Sequence, residues 1–407
     1  MSTKYSIKDV CRVNSNKGDD TFVGITSDAN GISINFPLGF RMAETEEDLR
    51  KDILLLLSTI SHTSSKQDSQ IASKATVSNG KHMPVQAYLF MISYYLEYGY
   101  YKEKEVLFQV SNRGKINWNK TIKTQKPILY EGKVYYLNFV TRKNPVSENE
   151  LITLIHEYCV YESFLKLGWL FTSSMPSKPR IRFNRKLFRL LVQEKLAQTF
   201  IDRNQILFKN MLAIIDDLDD SENPKYFTYG TSRFEYVWEA MIDKAYGIRE
   251  KEQYFPSTMW NIKSRSYANS ELFPDSIMIW NNNVYVLDAK YYKYGATRIA
   301  SDLPQSSSIN KQITYGEFIA EQEQFAKLHG KDYAVYNAFL MPFCSSDQED
   351  VLLNIGEATS NWKLNSKTYE RVQGILIDVK YLMKCYSHRK ETEIGKLVEK
   401  IEEAFQM

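Results

Sequence analysis

At 407 residues, with about 150 expected per domain, the chain has room for two or three domains, and 43% hydrophobic with 14% aromatic content can build real cores, which excludes a disordered polymer. Fifty-two Lys and Arg against 49 Asp and Glu leave a formal charge of +3, which excludes a global polycation and confines any nucleic-acid surface to a local patch. Four scattered cysteines, Cys11, Cys159, Cys344 and Cys385, exclude a disulfide scaffold or a cysteine zinc site. With no basic-then-apolar leader and no run near the ~20 apolar residues of a membrane span, the sequence reads as a soluble, cytoplasmic protein with no membrane partner.

In chain order, short β-type runs over Thr21 to Phe40 flank Asp28-Ala29-Asn30-Gly31 and predict a hairpin. Helical periods follow at about 46–61 and 84–98, separated by a Ser/Lys/Gln-rich loop over 62–82. A strand near 105–110, the segment Arg113-Gly114-Lys115-Ile116-Asn117-Trp118 and a hairpin over 128–140, turning at Glu131-Gly132, complete a mixed α/β first domain, 1–147. Long helical segments at 148–171 and 185–215 form a connector, 148–225. Within it, residues 176–209 hold nine Lys and Arg, among them Arg180, Arg182, Arg185 and Lys186, against Glu194 and Asp202. A solvated helix face and a phosphate-binding DNA track both remain open for this stretch. The acidic run from Asp216 to Asp220 lacks the glycine and closing glutamate of a calcium loop and reads as a helix end and linker. Residues 226–407 give helix (232–247), hairpin (272–293), helix (309–329), strands (333–341 and 372–382) and helix (392–405), which one sheet flanked by helices accommodates.

Several common chemistries are excluded by motif. Every Gly-Lys pair lacks the upstream glycine of a P-loop, so no nucleotide is expected on this chain. His156-Glu157 meets Val160 where a zincin needs histidine. Neither G-x-S-x-G nor G-x-G-x-x-G occurs.

Residues 272–294, LFPDSIMIWNNNVYVLDAKYYKY, are two β-rich runs joined by asparagines. Period two puts Asp288 and Lys290 on one face, and a two- or four-residue turn in register sets Asp275 opposite Asp288. A three-residue loop would send Asp275 to the other face. Two close carboxylates repel unless a proton or cation lies between them, and hard oxygens favour Mg²⁺ or Mn²⁺. A neighbouring lysine suits hydrolysis of a phosphodiester. The second D-x-K, Asp378-Val379-Lys380, has no upstream hairpin and reads as a core strand with a solvated end.

The order P-D, hairpin, D-x-K resembles the PD-(D/E)XK nuclease fold. With Val286-Leu287-Asp288-Ala289-Lys290-Tyr291-Tyr292-Lys293, Phe234-Glu235-x-x-Trp238-Glu239, Gln312-x-x-Tyr315 and Arg113-Gly114-Lys115-Ile116…Lys120-Thr121-Ile122, the chain resembles McrC-type nuclease subunits and the related LlaJI-type restriction endonucleases. Of residues 1–83 only Phe36-Pro37-Leu38-Gly39-Phe40 joins the match. The resemblance implies an α/β (α+β) chain with a PD-(D/E)XK domain at 226–407 that cleaves double-stranded DNA in a phage-defence complex, beside a separate McrB-like AAA+ GTPase subunit. It implies Asp275 and Asp288 as metal ligands helped by the Ala289 carbonyl, with Lys290 as catalytic lysine. Glu235 or Glu239 completes the site, and Gln312 and Tyr315 brace it or touch DNA. Arg113 and Lys115 enter the partner ring and stimulate its hydrolysis. A stand-alone repair or recombination nuclease and a non-catalytic DNA-binding adaptor are the alternatives.

Overall fold

The computed structural model of the chain describes residues 6–28, 31–64, 83–104, 107–143, 146–147, 151–172, 174–218, 227–269, 271–346 and 350–405. It forms two compact units, one of residues 1–82 with 226–407, the other of residues 83–225. This differs from the 1–147, 148–225, 226–407 division. Backbone pairing is the reason: strand β2 (Val23–Asp28), between β3 (Gly31–Phe36) and the much later β11 (Phe227–Thr231), ties the start of the chain to its last part, in the order β1 (Cys11–Val13), β3, β2, β11. Gly24 faces Gly230 across the β2–β11 ladder, where a Cβ on either would lie 2.2 Å from a carbonyl oxygen of the other strand. Helix α1 (Glu46–Ser64) follows. The 29–30 turn, most of the 62–82 loop and residues 219–220 of the acidic run lie outside the described residues.

The second unit holds α2 (Val85–Tyr98), stopped at Gly99 with φ 73°. A two-rung ladder joins β4 (Glu103–Lys104) to β10 (Val146–Ser147). Strands β5 (Leu107–Val110), β6 (Lys115–Ile116) and β9 (Val140–Lys143) form one sheet, with α3 (Trp118–Thr124) between them in sequence. The expected 128–140 hairpin is shorter: β7 (Ile128–Tyr130) and β8 (Lys133–Tyr135) pair around Glu131-Gly132, while 140–143 joins β5 and β6. Helices α4 (Leu151–Leu167), α5 (Arg185–Gln198) and α6 (Asp202–Asp217) follow. The single segment expected at 185–215 is two helices, because Thr199 and Ile201 take extended backbone between them.

Back in the first unit, α7 (Phe234–Tyr246) precedes an exposed hairpin, β12 (Met259–Ile262) with β13 (Arg265–Ala268). The main sheet then forms from β14 (Ser276–Trp280), β15 (Asn283–Ala289), β16 (Val335–Phe343), β17 (Leu352–Ala358) and β18 (Val372–Asp378), in the order β14-β15-β16-β18-β17. The inner strands β15, β16 and β18 run parallel, and both edge strands are antiparallel. Every residue of β18 is buried, as expected where both faces are covered. Helices α8 (Tyr294–Thr297), α9 (Ser306–Glu321) and α10 (Glu323–His329) connect β15 to β16. One core cluster joins Tyr315, Ile319 and Phe325 from this connection to Ile277, Val284 and Val286 of the sheet. The strand expected over 372–382 ends at Asp378, whose carboxylate accepts from the Tyr381 N–H at 2.7 Å and caps α11 (Val379–Cys385). The final helix is α12 (Glu391–Glu402). No helix among the described residues is long and apolar enough to cross a membrane.

Candidate active site

The site is built on the β14–β15 turn. Asn281 and Asn282 sit at φ 46° and 68°, the left-handed region that asparagine tolerates, giving a two-residue turn whose twist suits the strands. Trp280 then pairs with Asn283 and Ser276 with Leu287, so Asp275, one step further, comes opposite Asp288. The Asp275 Oδ2 accepts from the Ala289 N–H at 2.8 Å. Lys290 Nζ donates to both carboxylate oxygens of Asp288 at 2.9 Å. The three side chains share one patch at the carboxyl end of β15, where open α/β sheets commonly place their chemistry.

Carboxylates are in excess here. Desolvation raises the Asp275 pKa well above the usual carboxylate range, a hydrogen bond and repulsion from Asp288 add to it, and Glu239 repels it further. Burial pushes Glu239 up to about 7; Lys290 opposes that shift while the charges of Asp288 and Glu235 reinforce it. Burial works against the Lys290 ammonium, yet Asp288 and Asp275 outweigh it and hold the pKa above its ordinary value. Among the described residues no three His, Cys, Asp or Glu side chains are drawn together as a ready metal cage. Two converging carboxylates with unbalanced charge nevertheless fit a divalent cation that takes its remaining ligands from water and a substrate phosphate, the usual way Mg²⁺ is held.

Neighbouring elements fix these groups. Trp238 Nε1 donates to the Leu340 carbonyl at 3.1 Å, anchoring α7 on the sheet. Of the two glutamates on this helix, Glu239 is the one whose charge couples to Lys290 and Asp288, whereas Glu235 is tied to Arg233 at 2.8 Å. Lys251 Nζ donates to the Asp275 carbonyl at 2.8 Å and to Asp243 Oδ1 at 2.7 Å, and Ser276 Oγ donates to the same Asp243 oxygen at 2.9 Å. This clamp escaped sequence reading, because Lys251 lies in a charged loop with no periodic pattern to mark it.

Other expected site residues stand elsewhere. Tyr315 fits the bracing alternative: it is 2% exposed, packed in the core, and its hydroxyl donates to the Phe273 carbonyl at 3.0 Å, two residues before Asp275. Gln312 is 0% exposed and gives Nε2 to the Val286 carbonyl at 2.7 Å, so it supports β15 from beneath rather than meeting substrate. Asp378 is buried and caps α11, and the partly exposed Lys380 is paired with Asp52 at 2.7 Å, so both residues of the second D-x-K are held in structural contacts. In the other unit, Arg113 and Lys115 are exposed around Gly114, which has φ 114°. The basic stretch is not one uniform track. Arg185 donates to the carbonyls of Leu218 and Asp216 at the end of α6, a structural use, and Arg180 is paired with Glu157 at 2.9 Å. Arg182 and Lys186 are exposed.

Comparison with known proteins places these observations beside named relatives. The family model described as LlaJI restriction endonuclease matches residues 22–359. A component of a type II restriction enzyme, BsuMI component YdjA of Bacillus subtilis (strain 168), is 26% identical over 266 residues. That match covers 61% of this chain and 56% of the relative, so the chain spans little more than half of that protein's length. Among solved structures, a chain of the refined half-complex from a tetradecameric assembly of Thermococcus gammatolerans McrB AAA+ hexamers with bound McrC aligns over 93% of this chain and 83% of its own length, at 16% identity and a TM-score of 0.36.

Proposed function

The chain belongs to the LlaJI restriction endonuclease family, and from that premise we propose that its patch of Asp275, Asp288 and Lys290 hydrolyses phosphodiester bonds of double-stranded DNA with Mg²⁺, Mn²⁺ being an acceptable substitute. The observation that carries this reading is the convergence of Asp275, Asp288 and the Lys290 ammonium at a strand end, where burial and the neighbouring acids raise the Asp275 pKa in the absence of a cation. A bound divalent ion would supply Lewis acidity and lower the pKa of a water. Asp275 and Asp288 would hold it. Lys290, already charged, orients the attacking water and offsets negative charge gathering on the scissile phosphate. Glu239, titrating near neutrality, is suited to exchange a proton during turnover.

The partner in this reading is a separate McrB-like AAA+ subunit that hydrolyses GTP, with DNA cleavage left to the present chain. Support comes from the Arg113–Ile122 sequence pattern and from the exposure of Arg113 and Lys115 beside a glycine turn.

The direct test is cleavage of duplex DNA by the chain with its partner, with Mg²⁺ and with EDTA. Asp288→Ala and Lys290→Ala should each lower the rate at least ~100-fold, the scale of removing a positioned charged group at a reacting phosphate. Undiminished Mg²⁺-dependent cutting by both variants would remove the assignment.

A further inference from the structure

Between α7 and β14 the chain runs out into the β12–β13 hairpin, whose residues 257–269 are all exposed. Its feet are fixed close to the candidate site. The Asn269 N–H donates to the Thr258 carbonyl and the Leu272 N–H to the Pro256 carbonyl, each at 2.8 Å, and the Phe255 and Phe273 rings meet edge-on at 5.2 Å. Phe273 stands two residues before Asp275, and the buried Tyr315 hydroxyl holds its carbonyl. At ~3.4 Å per residue the strands carry the tip, Lys263-Ser264, roughly 17 Å beyond these feet.

Strand alternation sorts the hairpin's side chains. Cross-strand partners share a face, so Trp260 with Tyr267 and Ile262 with Arg265 form one side, while Asn261 and Ser266, bonded to each other at 2.6 Å, lie on the other with Met259 and Ala268. Trp260, Ile262 and Tyr267 are 62%, 51% and 50% exposed, an apolar strip held in water.

A second observation stands at the turn. Lys263 and Ser264 take φ 43° and 67°, the left-handed region for which the β14–β15 turn uses two asparagines. A lysine there adds strain and gains no burial, so its charge is what the position offers. Among the described residues neither Lys263 nor Arg265 has an ion-pair or side-chain hydrogen-bond partner, and the sequence holds no acidic residue from Gln253 to Ser270.

We propose that the β12–β13 hairpin is a ribbon that enters the major groove of the substrate duplex beside the scissile bond, with Lys263 and Arg265 on backbone phosphates and the Trp260–Tyr267 strip against sugars and base edges. The proposal rests on the reading of DNA as substrate. Paired strands lie ~4.8 Å apart, and the major groove, about 12 Å wide, admits such a ribbon. Two exposed cations in an acid-free stretch select a polyanion over a protein surface of mixed charge. Attachment just before Asp275 puts the ribbon on the same DNA that reaches the carboxylates.

The test is fluorescence anisotropy of the full chain with a labelled duplex over a series of salt concentrations, in EDTA so that binding is read without cleavage. Lys263→Asn, which keeps the left-handed turn and removes the charge, should lower the slope of log affinity against log salt by about 1, and the double variant with Arg265→Ala by about 2. Trp260→Ala should weaken binding at every salt concentration with the slope kept. Melting temperatures should stay at the parent's in all three, because the side chains are exposed. An unchanged slope in the double variant overturns the proposal, as does an equal loss on a single strand of the same length, which would replace the groove by a plain charged surface. So does a dimer of the parent chain that Trp260→Ala splits in sedimentation with DNA affinity intact, since the strip would then belong to a second copy. The two readings fail differently: a parent that neither binds nor cleaves duplex removes DNA as substrate, whereas a parent and double variant that bind and cleave alike remove only the ribbon.

Discussion

Glu239 and Glu235 sit one helical turn apart on α7 and look equivalent by spacing, yet their surroundings divide them. Glu235 is taken by Arg233, while Glu239 is raised to about 7 by burial and the neighbouring acids. Glu239→Gln is therefore expected to reduce cleavage by roughly 100-fold, the lower end of the range for loss of a proton-transfer group, and Glu235→Gln to leave it within about two-fold. Equal losses in the two variants would contradict the division. A stability effect follows from the same shift. Asp275 and Glu239 bind protons more readily in the fold than in the unfolded chain, so their contribution is full below the unfolded carboxylate values and is lost as pH rises through the folded ones, which for Glu239 is about 7. Without metal, the melting temperature should fall between pH 5 and pH 8. Glu239→Gln should flatten part of that fall, by about 1 kcal/mol after solvent screening, and Mg²⁺ at pH 8 should reverse it. A Glu239→Gln chain that loses stability as steeply as the parent would show that the charge is balanced in some other way.

At the level of elements, the hairpin was the most legible part of the chain, because Asn281-Asn282 tolerates positive φ and the flanking residues keep period two. Asn282→Gly should be harmless. Asn282→Val should cost about 1–2 kcal/mol in thermal or denaturant unfolding and reduce cleavage through a disturbed register, since a β-branched residue resists the left-handed region. The less legible elements had weaker local signals. β17 carries Asn354 and Gly356 with a register shift, the β12–β13 hairpin is exposed throughout, and β11 is a five-residue run whose pairing partner lies far back in the chain. The apolar run of β18 continues into α11, and only the capping role of Asp378 marks the change. For Tyr315 and Gln312 the pattern left bracing and DNA contact open, because a pattern does not tell which face of α9 meets the core; their burial and bonds to the backbone favour bracing. The Lys251 clamp has a consequence of its own. Lys251→Met should lower the maximal cleavage rate about 10-fold with DNA affinity unchanged, because Asp275 loses its backbone anchor while no group that meets substrate is removed. A change confined to affinity would assign Lys251 to DNA contact instead.

For the molecule as a whole, the division between units separates two kinds of experiment. If the proposed AAA+ subunit is the partner, Arg113→Ala or Lys115→Ala should lower its GTP hydrolysis while leaving Asp275, Asp288 and Lys290 untouched; an undiminished rate with both removed would reduce the segment to a turn. Charge reversal at Arg182 and Lys186 should weaken DNA association and flatten its salt dependence, whereas Arg185→Ala should chiefly lower stability, since that guanidinium caps α6. The interleaved topology also sets an order on biosynthesis. β2 emerges early, but β11, the strand that covers its open side, is not complete until Thr231 has been made, after every residue of the 83–225 unit. At ribosomal rates of ~5–20 residues per second, β2 waits roughly 10–40 s with a bare edge while a whole second unit has time to fold. Slow translation through residues 83–225 would lengthen that exposure and favour aggregation of nascent chains, and faster translation there would raise the soluble yield without any change of sequence.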